Sequence, residues 1–374
     1  SPFLERRLKK FVHRQSAYPS ALFSYITHPF RLDSRVRPAR HQNVFAARVI
    51  RRSLQALGLV VDVKHYLDQR SGDEHYALSF GFGYPMDHIL GSPSRSGHVV
   101  SYSTGAASEF QVRAEERRIR EVSEKTGLEI APVRTPPNLR HFREGSAILT
   151  TGNSFTESTY AGISSRVGSL PAPYPMRHAY KRALATRDWK QAKHKALFVA
   201  SSGLALKGLD FVIDAFAILD DVELTVAIRP SSTEMGIVRH YKAQSSANVT
   251  WIDDLNIVQP SRTVYEVMTT HGLTLSASAS EGGPGGLIIP SLYGLLPIAT
   301  PESGVDAAHD YQTLDGVDPV RIAERVSVLS QVSHTRLREI SNESARQFAD
   351  RHNPVAYPQR FKSALMRLGF SPES

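Results

Sequence analysis

The chain has 374 residues, 41% apolar and 22% charged, which is too long for one ordinary core and fits two domains. It has no cysteine, which excludes disulfides, thiolate metal sites and cysteine nucleophiles, and no run of about eighteen apolar residues that could cross a bilayer as a helix. Residues 1–195 hold 31 lysines and arginines against 16 acidic residues, a net +15, whereas the remainder holds 14 against 20, a net −6. That excess fits an anionic partner for the first half, such as a lipid surface, an acidic acceptor or nucleic acid; it equally fits a solvated basic face. Residues 1–14 are basic but lack an apolar core segment, so no secretory signal is expected, and the missing cysteines agree with a cytoplasmic protein.

In chain order, residues 21–27 (Ala-Leu-Phe-Ser-Tyr-Ile-Thr) are strand-like, followed by a Pro/Arg-rich loop over 28–40. Val44, Ala47, Ile50, Leu54 and Leu57 recur at helical spacing and Gly58 follows, which predicts a helix over 42–57. Strands are predicted over 60–63, 76–82 and 99–103, then a charged helix over 110–125 ended by Gly127. Arg117, Arg118 and Arg120 alternate with glutamates there, as on a solvated helix face. A strand over 147–151 leads into Gly152-Asn153-Ser154, where Asn153 or Ser154 would cap the next helix. This alternation argues for an α/β domain over 1–172, a parallel sheet wrapped by helices.

Leu170-Pro171-Ala172-Pro173-Tyr174-Pro175 carries three prolines and a basic polar run follows, so a linker is placed at 173–194. A second α/β domain over 195–356 restarts the pattern with strand 196–200, helix 209–219 and strand 222–228, then helix 237–244, strand 249–252 and helix 263–270. Residues 273–278 (Leu-Thr-Leu-Ser-Ala-Ser) read as a buried strand. They lead into Ser280-Glu281-Gly282-Gly283-Pro284-Gly285-Gly286, a short helix, and a further strand over 297–300. A glycine-rich turn between strand and helix leaves backbone amides unpaired beside an acidic side chain. That suits a nucleotide diphosphate carrying a sugar: Gly285 and Gly286 approach the phosphates and Glu281 takes sugar hydroxyls. Pro284 has no amide hydrogen and only shapes the turn. Helices over 321–329, 335–349 and 357–368 close the chain, the last with an apolar stripe of Phe361, Leu365 and Leu368.

Two stretches resemble the retaining family 4 of the two-domain GT-B glycosyltransferases. One is Ala196-Leu197-Phe198-Val199-Ala200-Ser201-Ser202-Gly203 followed by Lys207-Gly208-Leu209-Asp210; the other runs from Glu281-Gly282 to Gly294 and Pro297, 74 residues after Lys207. The resemblance implies an α/β chain of GT-B architecture, two Rossmann-like domains facing across a cleft, with helix 357–368 packing back on the first domain. It implies Lys207 and Glu281 as the catalytic pair, with Lys207 on the donor phosphates. Gly282, Gly283, Ser202 and Gly203 would surround the donor's sugar or nucleotide. It implies no cofactor beyond the nucleotide sugar as co-substrate, transfer with retention and without metal, and a glycan or lipid-linked acceptor on the basic first domain. It also implies a place in polysaccharide biosynthesis, and the basic first domain fits a peripheral contact with an anionic membrane at its cytoplasmic face. Two departures stand out: Ile289 where the family has a ribose-binding glutamate, and Ser201-Ser202 where it often has an arginine, with Arg229 as a possible substitute. They keep open an inactive or weak sugar-nucleotide-binding protein. No nucleic acid is expected as partner, because no motif with interleaved aromatics appears.

In the first half, Arg37-Pro38-Ala39-Arg40-His41-Gln42-Asn43 stands where the family often has a Gly-Gly loop. His41 and Asn43 start a helix at the C-terminal edge of the sheet, so they would meet donor or acceptor, or Asn43 would cap the helix. Thr104 and Gly105, and Asn153, follow strands and are candidates for the same cleft; His88 is a weaker one. Asp306 stands where the family closes the sugar pocket, or caps a turn. No His-Glu-x-x-His or Asp-x-Asp sequence is present, so no metal site is predicted.

Overall fold

Most strands of this chain are buried on both faces, as in parallel sheets covered by helices. The computed structural model describes residues 19–30, 41–70, 75–92, 97–134, 140–142, 146–306, 313–314 and 316–371. The basic start over 1–14, and Arg37 to Arg40 of the proline-arginine loop, lie outside the described residues.

The first sheet is built from β1 (Ser20–Tyr25), β2 (Val60–His65), β3 (Leu78–Gly81), β4 (His98–Ser103), β5 (Ala147–Thr150) and β6 (Val167–Ser169). Its order is β2-β1-β3-β4-β5-β6, parallel throughout, with Phe23 in register with Val63 on one side and Phe80 on the other. Helices α1 (Gln42–Ala56), α2 (Tyr84–Gly91), α3 (Ser108–Thr126) and α4 (Ser154–Ser158) connect the strands. The segment placed as a linker is itself folded, into α5 (His178–Thr186) and α6 (Trp189–Ala192). Tyr180 and Ala183 of α5 are buried in the second domain's core.

The second sheet comprises β7 (Lys195–Ser201), β8 (Glu223–Arg229), β9 (Val249–Asp253), β10 (Leu273–Ser276) and β11 (Leu296–Ala299) in the order β11-β10-β7-β8-β9, again all parallel. Its helices are α7 (Leu209–Ile218), α8 (Met235–Gln244), α9 (Arg262–Thr270), α10 (Gly285–Leu292), α11 (Pro319–Gln331) and α12 (His334–Arg351). The terminal helix α13 (Tyr357–Arg367) returns to the first domain, where Phe361, Leu365 and Leu368 join that core and Phe361 meets Phe80 edge-on at 5.1 Å between ring centroids. Among the described residues no helix is long and apolar enough to cross a membrane.

Helix α3 keeps Arg117 and Arg120 exposed, as a solvated face requires, and corrects that reading for Arg118 alone: Glu115 and Arg118 are buried on the side turned to the protein. Arg118 Nη2 donates to both carboxylate oxygens of Asp210 at 2.7 Å, Nε donates to the Ala205 carbonyl at 3.3 Å, and the guanidinium lies 3.9 Å from the Phe211 ring centroid. Arg187 is likewise buried, in the supposed linker. It donates to the carbonyls of Met268, Tyr293 and Gly294, the unpaired C-terminal groups of α9 and α10.

Candidate functional site

Parallel sheets leave their functional loops at the C-terminal ends of the strands, and here the two sets of loops face each other. Between them lies a cavity of about 480 Å³, walled on one side by Tyr25, Tyr102 and Thr151 and on the other by Ser201, Lys207 and Ser278. The glycine-rich turn forms its floor, with Glu281, Gly282, Gly283, Gly285 and Gly286 all lining it.

Backbone geometry explains why that turn needs glycine. A Cβ on Gly286 would stand 2.3 Å from the Val199 carbonyl oxygen, so α10 begins in direct contact with β7. A Cβ on Gly282 would stand 2.3 Å from the Thr104 carbonyl oxygen and 2.5 Å from Gly105 Cα, so the two domains touch backbone to backbone there. The Glu281 and Gly283 amides are engaged by the carbonyls of Glu302 and Ser303, at 2.8 and 3.0 Å. At the start of α10, the Gly285 and Gly286 amides meet no acceptor among the described residues. They are the open donors of a helix N-terminus, beside the cavity.

Lys207 is brought to the same place by Gly208, whose φ of +72° and close approach to Ala277 exclude a side chain. Its Nζ lies 3.5 Å from Glu281 Oε1 and donates to Ser201 Oγ at 3.2 Å. The same Glu281 oxygen accepts from Arg134 Nη2 at 3.2 Å, across the domain boundary. Sequence reasoning missed Arg134, which has no motif around it. It is placed by buried Glu115, whose two oxygens accept the amide hydrogens of Val133 and Arg134 at 3.0 and 2.7 Å.

Other predicted residues divide clearly. His41, Asn43, Thr104, Ser202 and Arg229 line the cavity. His41, not Asn43, caps α1: its Nδ1 accepts from the Asn43 amide at 3.2 Å. Desolvation at the cleft wall, then the charges of Lys207, Arg229 and His28, hold its pKa below the ordinary imidazole value. The ring is therefore neutral at pH 7, and with Nδ1 accepting, its proton sits on Nε2 as a donor. Arg229 Nε pairs with Asp254 at 2.6 Å on the rim.

Gly203, Gly105, Asn153, His88 and Asp306 are absent from the cavity wall. The Gly203 amide, with that of Leu204, donates to buried Glu234 at 2.8 and 2.6 Å. Gly105 forms the seam with Gly282, and its carbonyl accepts from Thr150 and Tyr160, both at 2.8 Å. Asn153 caps α4 through the Thr156 amide and donates to the Pro301 carbonyl at 3.2 Å, a further link between domains. His88 is exposed on α2, and Asp306 pairs with Arg351 at 3.6 Å. Among the described residues no group of three or more His, Asp or Glu side chains is arranged to hold a metal ion.

No protein-family model matches the sequence, and no curated protein sequence does. Solved structures do match. A glycosyltransferase from Rickettsia africae superposes with TM-score 0.61 at 9% identity, over 94% of this chain and 100% of that one. The Anabaena protein Alr3699/HepE, solved with UDP and glucose, superposes with TM-score 0.56 at 11% identity, over 93% and 99%. TarM superposes with TM-score 0.50 at 8% identity over 78% of this chain, which spans only 55% of TarM's length. The chain has the GT-B fold. Within that frame Ile289 is buried in the second domain's core, 4% exposed, and contributes nothing polar to the cavity. Among the described residues lining the cavity, Glu281 is the one carboxylate.

Proposed function

We propose that this GT-B chain transfers a sugar from a nucleotide-sugar donor to a glycan or lipid-linked acceptor, with retention and without a metal. One observation carries the reading: Lys207, Glu281 and the open amides of Gly285 and Gly286 converge on a single interdomain cavity. Lys207 and the amides hold the diphosphate and stabilise the charge that develops on it as it leaves. Glu281 takes hydroxyls of the transferred sugar, and neutral His41 offers its Nε2 hydrogen from the opposite wall. The HepE complex with UDP and glucose, on the same fold, supports a nucleotide-sugar donor. The acceptor occupies the side walled by Tyr25, Asn43 and Tyr102. The basic first half, net +15 over residues 1–195, supports a peripheral contact with an anionic membrane on its cytoplasmic face and a role in polysaccharide assembly.

A panel of UDP-, GDP-, ADP- and TDP-sugars, scored for donor hydrolysis and for transfer, tests the proposal. Turnover of at least one donor is expected, and a complete lack of both binding and turnover across the panel refutes the proposal. Buried Ile289 favours a second reading, a sugar-nucleotide-binding protein with little catalysis, since among the described residues the cavity has no carboxylate besides Glu281 to hold a ribose. Binding without turnover selects that reading.

A further inference from the structure

Two cations from opposite domains share one carboxylate oxygen in the cleft: Lys207 Nζ at 3.5 Å and Arg134 Nη2 at 3.2 Å from Glu281 Oε1. Arg134 is held in place. Its amide and that of Val133 are gripped by buried Glu115, while its own Nε is buried with no acceptor among the described residues. The three side chains sum to one positive charge, beside two open helix-start amides, in a cavity whose lining holds no further acid among the described residues. Such a cluster is complementary to an anion carrying several oxygens, and a guanidinium supplies paired donors that match a phosphate. Ser201 and Ser202, at the end of β7, supply no cation, and Arg134 reaches the cavity from the other domain.

Resting on the nucleotide-sugar reading, we propose that Arg134 is a donor-binding residue delivered by the N-terminal domain. When the diphosphate enters, Arg134 and Lys207 exchange the Glu281 oxygen for oxygens of the phosphate nearer the sugar. Glu281 is thereby released to take sugar hydroxyls. The diphosphate then bridges the domains, and donor binding is coupled to their relative position.

The test is calorimetric titration of nucleoside diphosphates and the matching monophosphates into the wild-type chain, Arg134→Gln and Arg134→Lys, with melting curves for each. Arg134→Gln is expected to weaken diphosphate binding by about tenfold to a hundredfold, the range for a hydrogen bond to a charged group. Monophosphate affinity and melting temperature should stay at wild-type values, and Arg134→Lys should recover part of the loss. Glu115→Gln, which loosens the grip on the Arg134 backbone, should shift diphosphate affinity in the same direction. Wild-type diphosphate affinity in Arg134→Gln overturns the inference while leaving the nucleotide-sugar reading intact. Tighter binding also overturns it, since Arg134 would then merely block Glu281, and so does equal loss of mono- and diphosphate affinity. A wild-type chain that binds no nucleotide removes both.

Discussion

Replacing Arg118 by methionine tests whether a buried ion pair, rather than the cleft, holds the two domains in register. The Arg118 and Asp210 side chains are 4% and 5% exposed, and the guanidinium meets both carboxylate oxygens at 2.7 Å. Removing Arg118 leaves the Asp210 carboxylate buried without its cation, at a cost of about 3–5 kcal/mol. Asp210 lies in the first turn of α7, where the open amides return about 0.3–1 kcal/mol of that. Asp210→Leu should cost less, about 2–3 kcal/mol, because Arg118 keeps Glu121, the Ala205 carbonyl and the Phe211 ring. The double variant Arg118→Met/Asp210→Leu removes both charges and fills the space with apolar atoms, so it should be within about 1–2 kcal/mol of wild type. Urea unfolding followed by far-ultraviolet circular dichroism at pH 7 gives the cycle. A coupling energy of about 2 kcal/mol or more is expected. Additive costs, or a single-variant loss below about 1 kcal/mol, would refute a buried, mutually dependent pair.

Lys207→Ala should lower turnover by about a hundredfold or more in the donor panel, since it removes positive charge where the leaving group gains negative charge; near-normal rates count against the assignment. Glu281→Gln should raise the requirement for the sugar more than it weakens nucleoside diphosphate binding, and equal loss of both would mark a structural role. Gly286→Ala places a Cβ 2.3 Å from the Val199 carbonyl oxygen. The helix start must shift, so a loss of about 1–3 kcal/mol with weakened nucleotide binding is expected, and an unchanged melting curve would contradict the geometry. Burial pulls the pKa values of His271 and His352 down to about 4. Both are lower than in the unfolded chain, so stability is full above about pH 6.5 and falls as the pH drops toward 4. Each contributes a loss of about 2 kcal/mol by pH 5. Urea midpoints at pH 7.5 and 5 measure it, and a flat profile refutes the neutral buried rings.

Most strands were legible because they are short apolar runs bounded by turn residues, and β7 to β11 fall within a residue or two of their expected positions. Three-residue β6 is too short to show a period, and it went unseen. The C-terminal half of the site was legible for a different reason. Lys207, Gly208, Glu281 and the following glycines carry local signatures, in which neighbouring residues must cooperate to make one turn. Nothing local marks Arg134. Its position depends on a carboxylate in the preceding helix, and its partner Glu281 lies 147 residues later. Arg118 misled for the same reason: Arg117 and Glu121 beside it form an ordinary exposed i,i+4 pair, while Asp210 is 92 residues away. An imidazole capping α1 was also outside the sequence signal, since serine, threonine, aspartate and asparagine dominate that position.

Three residues that escaped detection gather about one element. Glu115 and Arg118 lie on α3 and Arg134 follows it, aimed by Glu115, while Thr104 and Gly105, already candidates from the sequence, precede it. Each of its two ends touches the glycine-rich turn, through Gly105 against Gly282 and through Arg134 against Glu281, while Arg118 fastens the middle to α7. Helix α7 in turn begins directly after Lys207-Gly208. The ion pair therefore joins the two elements that carry the two cations on Glu281. Loss of Arg118 should displace Arg134 relative to Lys207 without altering either side chain, so Arg118→Met should weaken nucleoside diphosphate binding even under conditions where the chain remains folded. If diphosphate affinity were untouched in that variant, α3 would be a structural brace alone, and the cleft would be positioned by the Gly105–Gly282 seam.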